Sequence, residues 1–209
     1  MGFYDDAVLP RILNAVMGAP YIMAERVKAL AAVSGDVLEV GFGSGHNLAC
    51  YPSTVQRVVA IDPSMLGAKL ARKRIASAPF PVECIALEGE KLAAADASFD
   101  CVVSTFTLCT MVDPAAALAQ MRRVLKPGGR LFFVEHGRAP DPEVRRWQDR
   151  LNGFQRVLCG GCNLNRDIEA LVRDAGFGFD EIDRYYLAGQ PRPFAFMTRG
   201  VARPRATAS

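Results

Sequence analysis

Val37-Leu38-Glu39-Val40-Gly41-Phe42-Gly43-Ser44-Gly45 is the stretch on which the reading of this chain turns. An apolar run of strand length, 36–41, breaks into glycines at alternate positions, and a short helix is expected directly after it, near 46–51. Without a Cβ, glycine lets the backbone turn sharply and come close to a ligand. In an open α/β sheet, ligands lie beyond the C-terminal ends of the strands, where the strand order reverses. The loop therefore reads either as a cofactor cradle or as a tight strand-to-helix turn.

Asp62 adds to the first reading. It closes the next apolar run (57–61, RVVAI), 21 residues after Gly41. A carboxylate at that spacing can accept hydrogen bonds from ribose hydroxyls; its alternative is the N-cap of the following helix, in Asp62-Pro63-Ser64. Loop and acid together indicate an adenosine-type cofactor. A dinucleotide fingerprint, G-x-G-x-x-G, would place its third glycine one residue later, where His46 stands. A helix also precedes the first strand, and the chain leaves no room for a second domain to hold a hydride acceptor. A nicotinamide oxidoreductase and a non-catalytic cofactor-binding protein are the alternatives from other classes.

Outward from this point, strands and helices alternate. Helices are expected at 21–33, at 64–77, from Asp113-Pro114 to Lys126, at 142–158 and at 165–175. Strands are expected at 81–86, 99–105, 131–135, 179–186 and 193–199, with Pro127-Gly128-Gly129 as a stop and turn before 131–135. Apolar strands separated by helices imply a mainly parallel sheet covered on both faces. The last two strands, with no helix expected between them, suggest an antiparallel pair at one edge. The expected fold is a single-domain, doubly wound, seven-stranded α/β domain over residues 1–200, with 1–34 as an N-terminal helical cap and 201–209 as a tail.

The 209 residues suit one such domain. The 25 basic and 22 acidic residues, net +3, are spread along the chain, whereas a nucleic-acid binder would gather its cations on one face. The basic end (Arg199, Arg203, Arg205) reads as a frayed tail. No run approaches the ~18 consecutive apolar residues of a membrane span. Asp5 and Asp6 do not suit a secretory leader. Cys84 and Cys101 fall in apolar runs and read as buried small hydrophobes, which suits a reducing cytoplasm. Cys159-Gly-Gly-Cys162 offers two ligands where structural zinc takes four, and a redox pair would be expected to open a helix after a strand. No metal is expected. Residues 159–165 are expected to close a substrate pocket, with Asn165 capping the next helix.

VLEVGFGSG, VVAIDPS, ALEGEKLAAADASFDCVVSTFTL and RRVLKPGGRLFFVEH, in this order and spacing, resemble the class I S-adenosylmethionine-dependent methyltransferases over about residues 35–137. TLCTMVD, EHGRAP and CGGCNLNRDIEALVRDAGF resemble more narrowly the methyltransferase-like 7 group of thiol methyltransferases and its small bacterial relatives. Animal members of that group carry an N-terminal membrane anchor; none is expected here. The resemblance implies S-adenosyl-L-methionine as cofactor and S-adenosyl-L-homocysteine as product. It implies that Gly41, Gly43 and Gly45 wrap the methionine and ribose, and that Glu39 orients that loop and the amino group. Asp62 would hold the ribose, Pro63 and Ser64 the adenine edge, Glu88, Gly89 and Glu90 the adenine, and Thr105 the floor beneath the methionine. His46 would contribute its backbone amide.

Methyl transfer from a sulfonium is an in-line displacement that positioning can accelerate by several kcal/mol. The chain has no Asp/Asn-Pro-Pro-aromatic motif after strand four, which speaks against bases and amide nitrogens as acceptors. His136, at the end of strand five, is the candidate general base or substrate orienter, with a structurally bonded strand-end histidine as the alternative. Cys109 either lines the pocket or packs. A thiol acceptor, with a pKa near 8.5, is partly ionised at neutral pH and needs little base. The expected partner is a small, fairly apolar acceptor. Sulfur is favoured, and oxygen, nitrogen or carbon acceptors such as phenols, quinone precursors or lipid amines stay open.

Overall fold

The computed structural model describes residues 8–62, 65–85, 87–88, 91–92 and 94–205. Seven strands form one sheet: β1 (Gly35–Val40), β2 (Val55–Ile61), β3 (Val82–Ile85), β6 (Phe99–Thr105), β7 (Leu125–His136), β8 (Phe177–Tyr186) and β9 (Phe196–Pro204). Their order is β3-β2-β1-β6-β7-β9-β8. The first five lie parallel, and β9 is inserted antiparallel between β7 and β8. Two-residue strands β4 (Leu87–Glu88) and β5 (Lys91–Leu92) form a separate hairpin.

Side chains alternate across the sheet, so each strand feeds two cores. Leu38, Val40, Val102, Leu131 and Phe133 face one side, with Leu118, Met121 and Val124 of α4 (Pro114–Val124) and Ile168 and Val172 of α6 (Ile168–Asp174). Val37, Val58, Cys101, Val103 and Phe132 face the other, with Leu30 of α2 (Pro20–Leu30) and Ala71 of α3 (Met65–Ala76). Burial on both faces explains the nearly unbroken apolar runs of the central strands. Before α2 stands α1 (Leu9–Met17), a helix not located separately within the expected cap. The helix expected near 46–51 is a single 3-10 turn, His46–Ala49.

Several expected boundaries shift, each for a local reason. Asp113 does cap α4, accepting from Ala116 N at 2.9 Å. The helix stops at Val124, however, because Leu125 is already paired with Phe99. Pairing resumes at Cys101 with Arg130, so Lys126, Pro127, Gly128 and Gly129 form a bulge inside β7 rather than a turn before it. Lys126 Nζ, 2.9 Å from both Asp100 carboxylate oxygens, pins that bulge. Asp167, not Asn165, caps α6, accepting from Ala170 N at 3.0 Å, while Asn165 donates to Asp149 on α5 (Pro142–Leu158). A short helix, α7 (Arg192–Ala195), intervenes between β8 and β9, where none was expected.

The final strand runs to Pro204, so residues 201–204 of the expected tail belong to the sheet. Arg199 and Arg203 are strand residues that pair with Asp183 at 2.6 Å and Asp180 at 2.7 Å, not part of a frayed end. Cys84 is exposed, since β3 is the edge strand and buries little of either face. Cys101 is buried as expected. Among the described residues no helix is long and apolar enough to cross a membrane.

Candidate active site

The glycine loop leaves β1 at the point where β1 meets β2 on one side and β6 on the other. Gly41, Gly43 and Gly45 have φ of +79°, +55° and +76°, the left-handed region that favours glycine. At Gly41 a Cβ would also lie 2.1 Å from Thr107 Oγ1, so the loop and the end of β6 touch backbone to side chain. Asp62, just past β2, accepts from Gly43 N at 2.7 Å and faces the same cavity. Pro63, Ser64, Gly89 and Glu90 lie outside the described residues, and Glu88 is placed in β4, paired with Lys91.

Beneath the loop runs a buried polar chain. Glu39 accepts from Tyr51 OH at 2.7 Å and from Asn47 Nδ2 at 2.9 Å. Asn47 also donates to Thr105 Oγ1 at 3.0 Å. Arg26 of α2 donates from Nη1 to Asn47 Oδ1 at 2.7 Å and to Thr105 Oγ1 at 2.6 Å. Burial pushes the Glu39 carboxyl up to about 7, against the bonds from Tyr51 and Asn47 and the charge of Arg26. Glu39 does not line the cavity; Asn47 stands between it and Thr105. Arg26 does line it, with its guanidinium 5.0 Å over the ring of Phe106, and its Nε has no partner among the described residues. Phe106 itself has φ +54°, strain for a residue with a Cβ.

The helical cap is tied to the loop through His46. Its Nε2 lies 2.9 Å from Asn14 O of α1. Burial and the nearby Arg74 charge pull the imidazole down to about 4, so it stays neutral. Arg74 Nη1 reaches Ser44 O at 2.9 Å and Asn14 Oδ1 at 3.2 Å. His46 thus uses its ring to hold the cap.

At the other end of the cavity, fully buried Glu135 organises the turn after β6. It accepts from Thr107 N and Leu108 N at 2.9 Å, from Cys109 N at 3.2 Å and from Ser104 Oγ at 3.1 Å. Burial raises this carboxyl and the three amides oppose the rise. His136 follows at the tip of β7, its ring edge-on to Phe106 with centroids 6.2 Å apart. Cys162 Sγ lies 3.7 Å from His136 Nδ1 and 3.7 Å from Cys109 Sγ. One cavity of about 870 Å³ joins the two ends, from Gly41, Asp62 and Thr105 to Cys109, His136 and Cys162. Leu13 and Met17 of α1 and Leu187 and Phe194 give it apolar walls. Cys159, Gly160 and Cys162 line it too.

Residues 38–133 match the family described as "Methyltransferase domain". Thiol S-methyltransferase TMT1B of Rattus norvegicus is 32% identical over 181 residues, covering 84% of this chain and 72% of that protein. The chain belongs to the class I S-adenosylmethionine-dependent methyltransferases. Human thiol S-methyltransferase TMT1A is 35% identical over 68% of this chain and 59% of its own length. A demethylmenaquinone methyltransferase of Clavibacter sepedonicus is 36% identical over 58% of this chain and 50% of its own. Among solved structures, a SAM-dependent methyltransferase of Leishmania major superposes with TM-score 0.69 at 15% identity, covering 96% of this chain and 80% of that one. The [4+2]-cyclase SpnF superposes with TM-score 0.71 at 17% identity, covering 98% and 95%. At such identities the likeness is one of fold.

In this methyltransferase the residues fit the cofactor of the family on three counts. The Gly41 cradle has no room for a Cβ. An acidic side chain stands at the tip of β2. The buried Arg26 lines the cavity and keeps a donor, Nε, without a partner among the described residues, so its guanidinium suits a carboxylate there. Arg26 lies outside every quoted motif, and Glu135, though it opens EHGRAP, showed nothing there of its role. Arg26 sits 79 residues from Thr105 and Glu135 26 residues from Cys109, so only the fold brings those pairs together.

Proposed function

We propose that this methyltransferase moves the methyl group of S-adenosylmethionine to a small apolar thiol by in-line displacement. The observation that carries the proposal is the single cavity, with a glycine-and-acid cradle at one end and an apolar chamber bearing His136, Cys109 and Cys162 at the other. Similarity to two thiol S-methyltransferases supports sulfur as the nucleophile.

Gly41, Gly43 and Gly45 cradle the methionine and ribose, Asp62 accepts from the ribose hydroxyls, and Arg26 pairs with the methionine carboxylate. Glu39 and Thr105 fix Asn47 and Arg26 and thereby the floor of the cradle. Pro63 and Ser64 are assigned to the adenine edge, and Glu88, Gly89 and Glu90 to the adenine. When bound, the cofactor supplies an electrophilic methyl on a sulfonium. The protein's share is to hold the acceptor in line and keep water out. Leu13, Met17, Phe106, Leu187 and Phe194 do the second, and His136 orients the acceptor. A demethylmenaquinone methyltransferase at 36% identity supports a second reading, carbon methylation of a quinone precursor in the same chamber.

Thermal unfolding tests the cofactor assignment. S-adenosylmethionine or S-adenosylhomocysteine at ~100 times its dissociation constant adds about 2.7 kcal/mol, a rise of several degrees in Tm. NADH should give none. No shift with either sulfur compound would remove the cradle assignment.

A further inference from the structure

We propose that Cys162 takes the proton of the acceptor thiol, working as a thiolate paired with the His136 imidazolium. This rests on the thiol reading of the site.

The geometry is built rather than incidental. Gly160 and Gly161, with φ of +58° and +90°, turn the chain after α5 so that Cys162 enters the chamber. A Cβ on Gly161 would lie 3.1 Å from Thr110 O, so this turn is pressed against the loop that carries Cys109. That contact is doubled by Asn163, whose N and Nδ2 both donate to Cys109 O at 2.9 Å. Cys109 N in turn donates to Glu135. Both thiols are thus fixed by backbone bonds, and Cys162 meets His136 Nδ1 and Cys109 Sγ at 3.7 Å each.

The groups facing this sulfur are Cys109 from the turn after β6, His136 from β7, and Cys159 and Gln155 from the end of α5; Glu135 stands behind. The contact from Cys109 lowers the Cys162 thiol, burial opposes it, and His136 lowers it further. Cys109 moves up, chiefly through the same contact, and so serves as the protonated partner. Burial pulls His136 down, but Cys162 and Glu135 outweigh it and the imidazole is raised. The three shifts describe one arrangement: a thiolate between a neutral thiol and a cation.

In the step, the acceptor S–H bond breaks, its proton goes to Cys162 Sγ, and the electron pair stays on the acceptor sulfur. That pair forms the new S–C bond while the sulfonium C–S bond breaks, its electrons remaining on the departing cofactor sulfur. His136 keeps its proton throughout and holds the acceptor thiolate. Cys162 gives its proton to water once the chamber opens. Once the proton has moved, the imidazolium that lowers the Cys162 thiol pairs with the acceptor thiolate instead, which narrows the gap in basicity between the two sulfurs.

The test has two parts, both on the full chain under reductant. Thiolate absorbance near 240 nm is titrated first, with no acceptor present. Wild type should show one thiolate forming well below the ordinary thiol range, lost in Cys162→Ser and shifted upward in His136→Gln. Then kcat/KM is compared at pH 7 for an alkyl thiol, mostly protonated, and an aryl thiol, mostly ionised. Cys162→Ser should lose about 10²-fold with the alkyl thiol and far less with the aryl thiol. A variant that matches wild type on both thiols, or loses equally on both, overturns the proton-acceptor role. So does a wild-type titration without the low transition. If wild type methylates neither thiol, the thiol reading itself fails, and this assignment falls with it.

Discussion

Asp62 faces Gly43 and, by the proposal, a ribose. It accepts from Gly43 N at 2.7 Å and so shapes the loop before anything binds. Asp62→Ala is expected to weaken S-adenosylmethionine binding by ~1–3 kcal/mol through lost charge-assisted hydrogen bonds. Calorimetry on the folded variant checks this, and unchanged affinity would contradict the ribose role. His46 is a second single-residue test, on stability. Its folded pKa, about 4, lies below the ordinary 6.5. The unfolded chain therefore takes up this proton first as pH falls, and the linked stability, present above about 6.5, is lost toward pH 4. Glu39, raised by burial, works in the opposite direction over part of this range, so the difference between wild type and His46→Gln is the quantity to measure. In urea titrations the variant should gain on wild type as pH falls from 7 to 4, by up to ~3 kcal/mol. A constant difference would mean that His46 is not held neutral.

At the scale of elements, the turn after β6 depends on one carboxylate. Glu135 accepts from three consecutive amides, with Oε2 reserved for Cys109 N. Glu135→Gln sets an amide donor against one of these N–H groups, and should cost ~1–3 kcal/mol of stability. Hydrogen exchange at residues 107–109 should rise with it; unchanged protection would show that the turn holds without the carboxylate. Turns of this kind were hard to read from sequence. The loop 41–45 was legible because its glycines are local and their left-handed backbone leaves a spacing behind. The pairing of Cys162 with Cys109 spans 53 residues, and the doublet Cys159–Cys162 gave no sign of a third sulfur or of His136. The alternation of strands and helices was legible because core burial repeats along each element. Their ends were less so. Pro127-Gly128-Gly129 has the composition of a turn, yet sheet pairing on both sides makes it a bulge.

For the whole molecule, the position of the site follows from topology. The strand order reverses between β1 and β6, and the cavity opens beyond the C-terminal ends of β1, β2, β6 and β7. This doubly wound sheet and its switch point could be inferred from the strand pattern and one glycine loop. Of what lies over the acceptor, the loop from Cys159 was legible in the sequence; the place of α1 and α2 was not, because they converge there only in the folded chain. The same fold in SpnF, a cyclase, shows that the sheet alone does not decide the reaction. The acceptor chamber must therefore be tested by its product. Wild-type protein, incubated with S-adenosylmethionine carrying a deuterated methyl and with an apolar alkyl thiol or its alcohol analogue, is followed by mass spectrometry. The account predicts a deuteromethyl thioether formed one-for-one with S-adenosylhomocysteine, and no product from the alcohol. Label transfer to oxygen or to a quinone precursor, with none to sulfur, would contradict it.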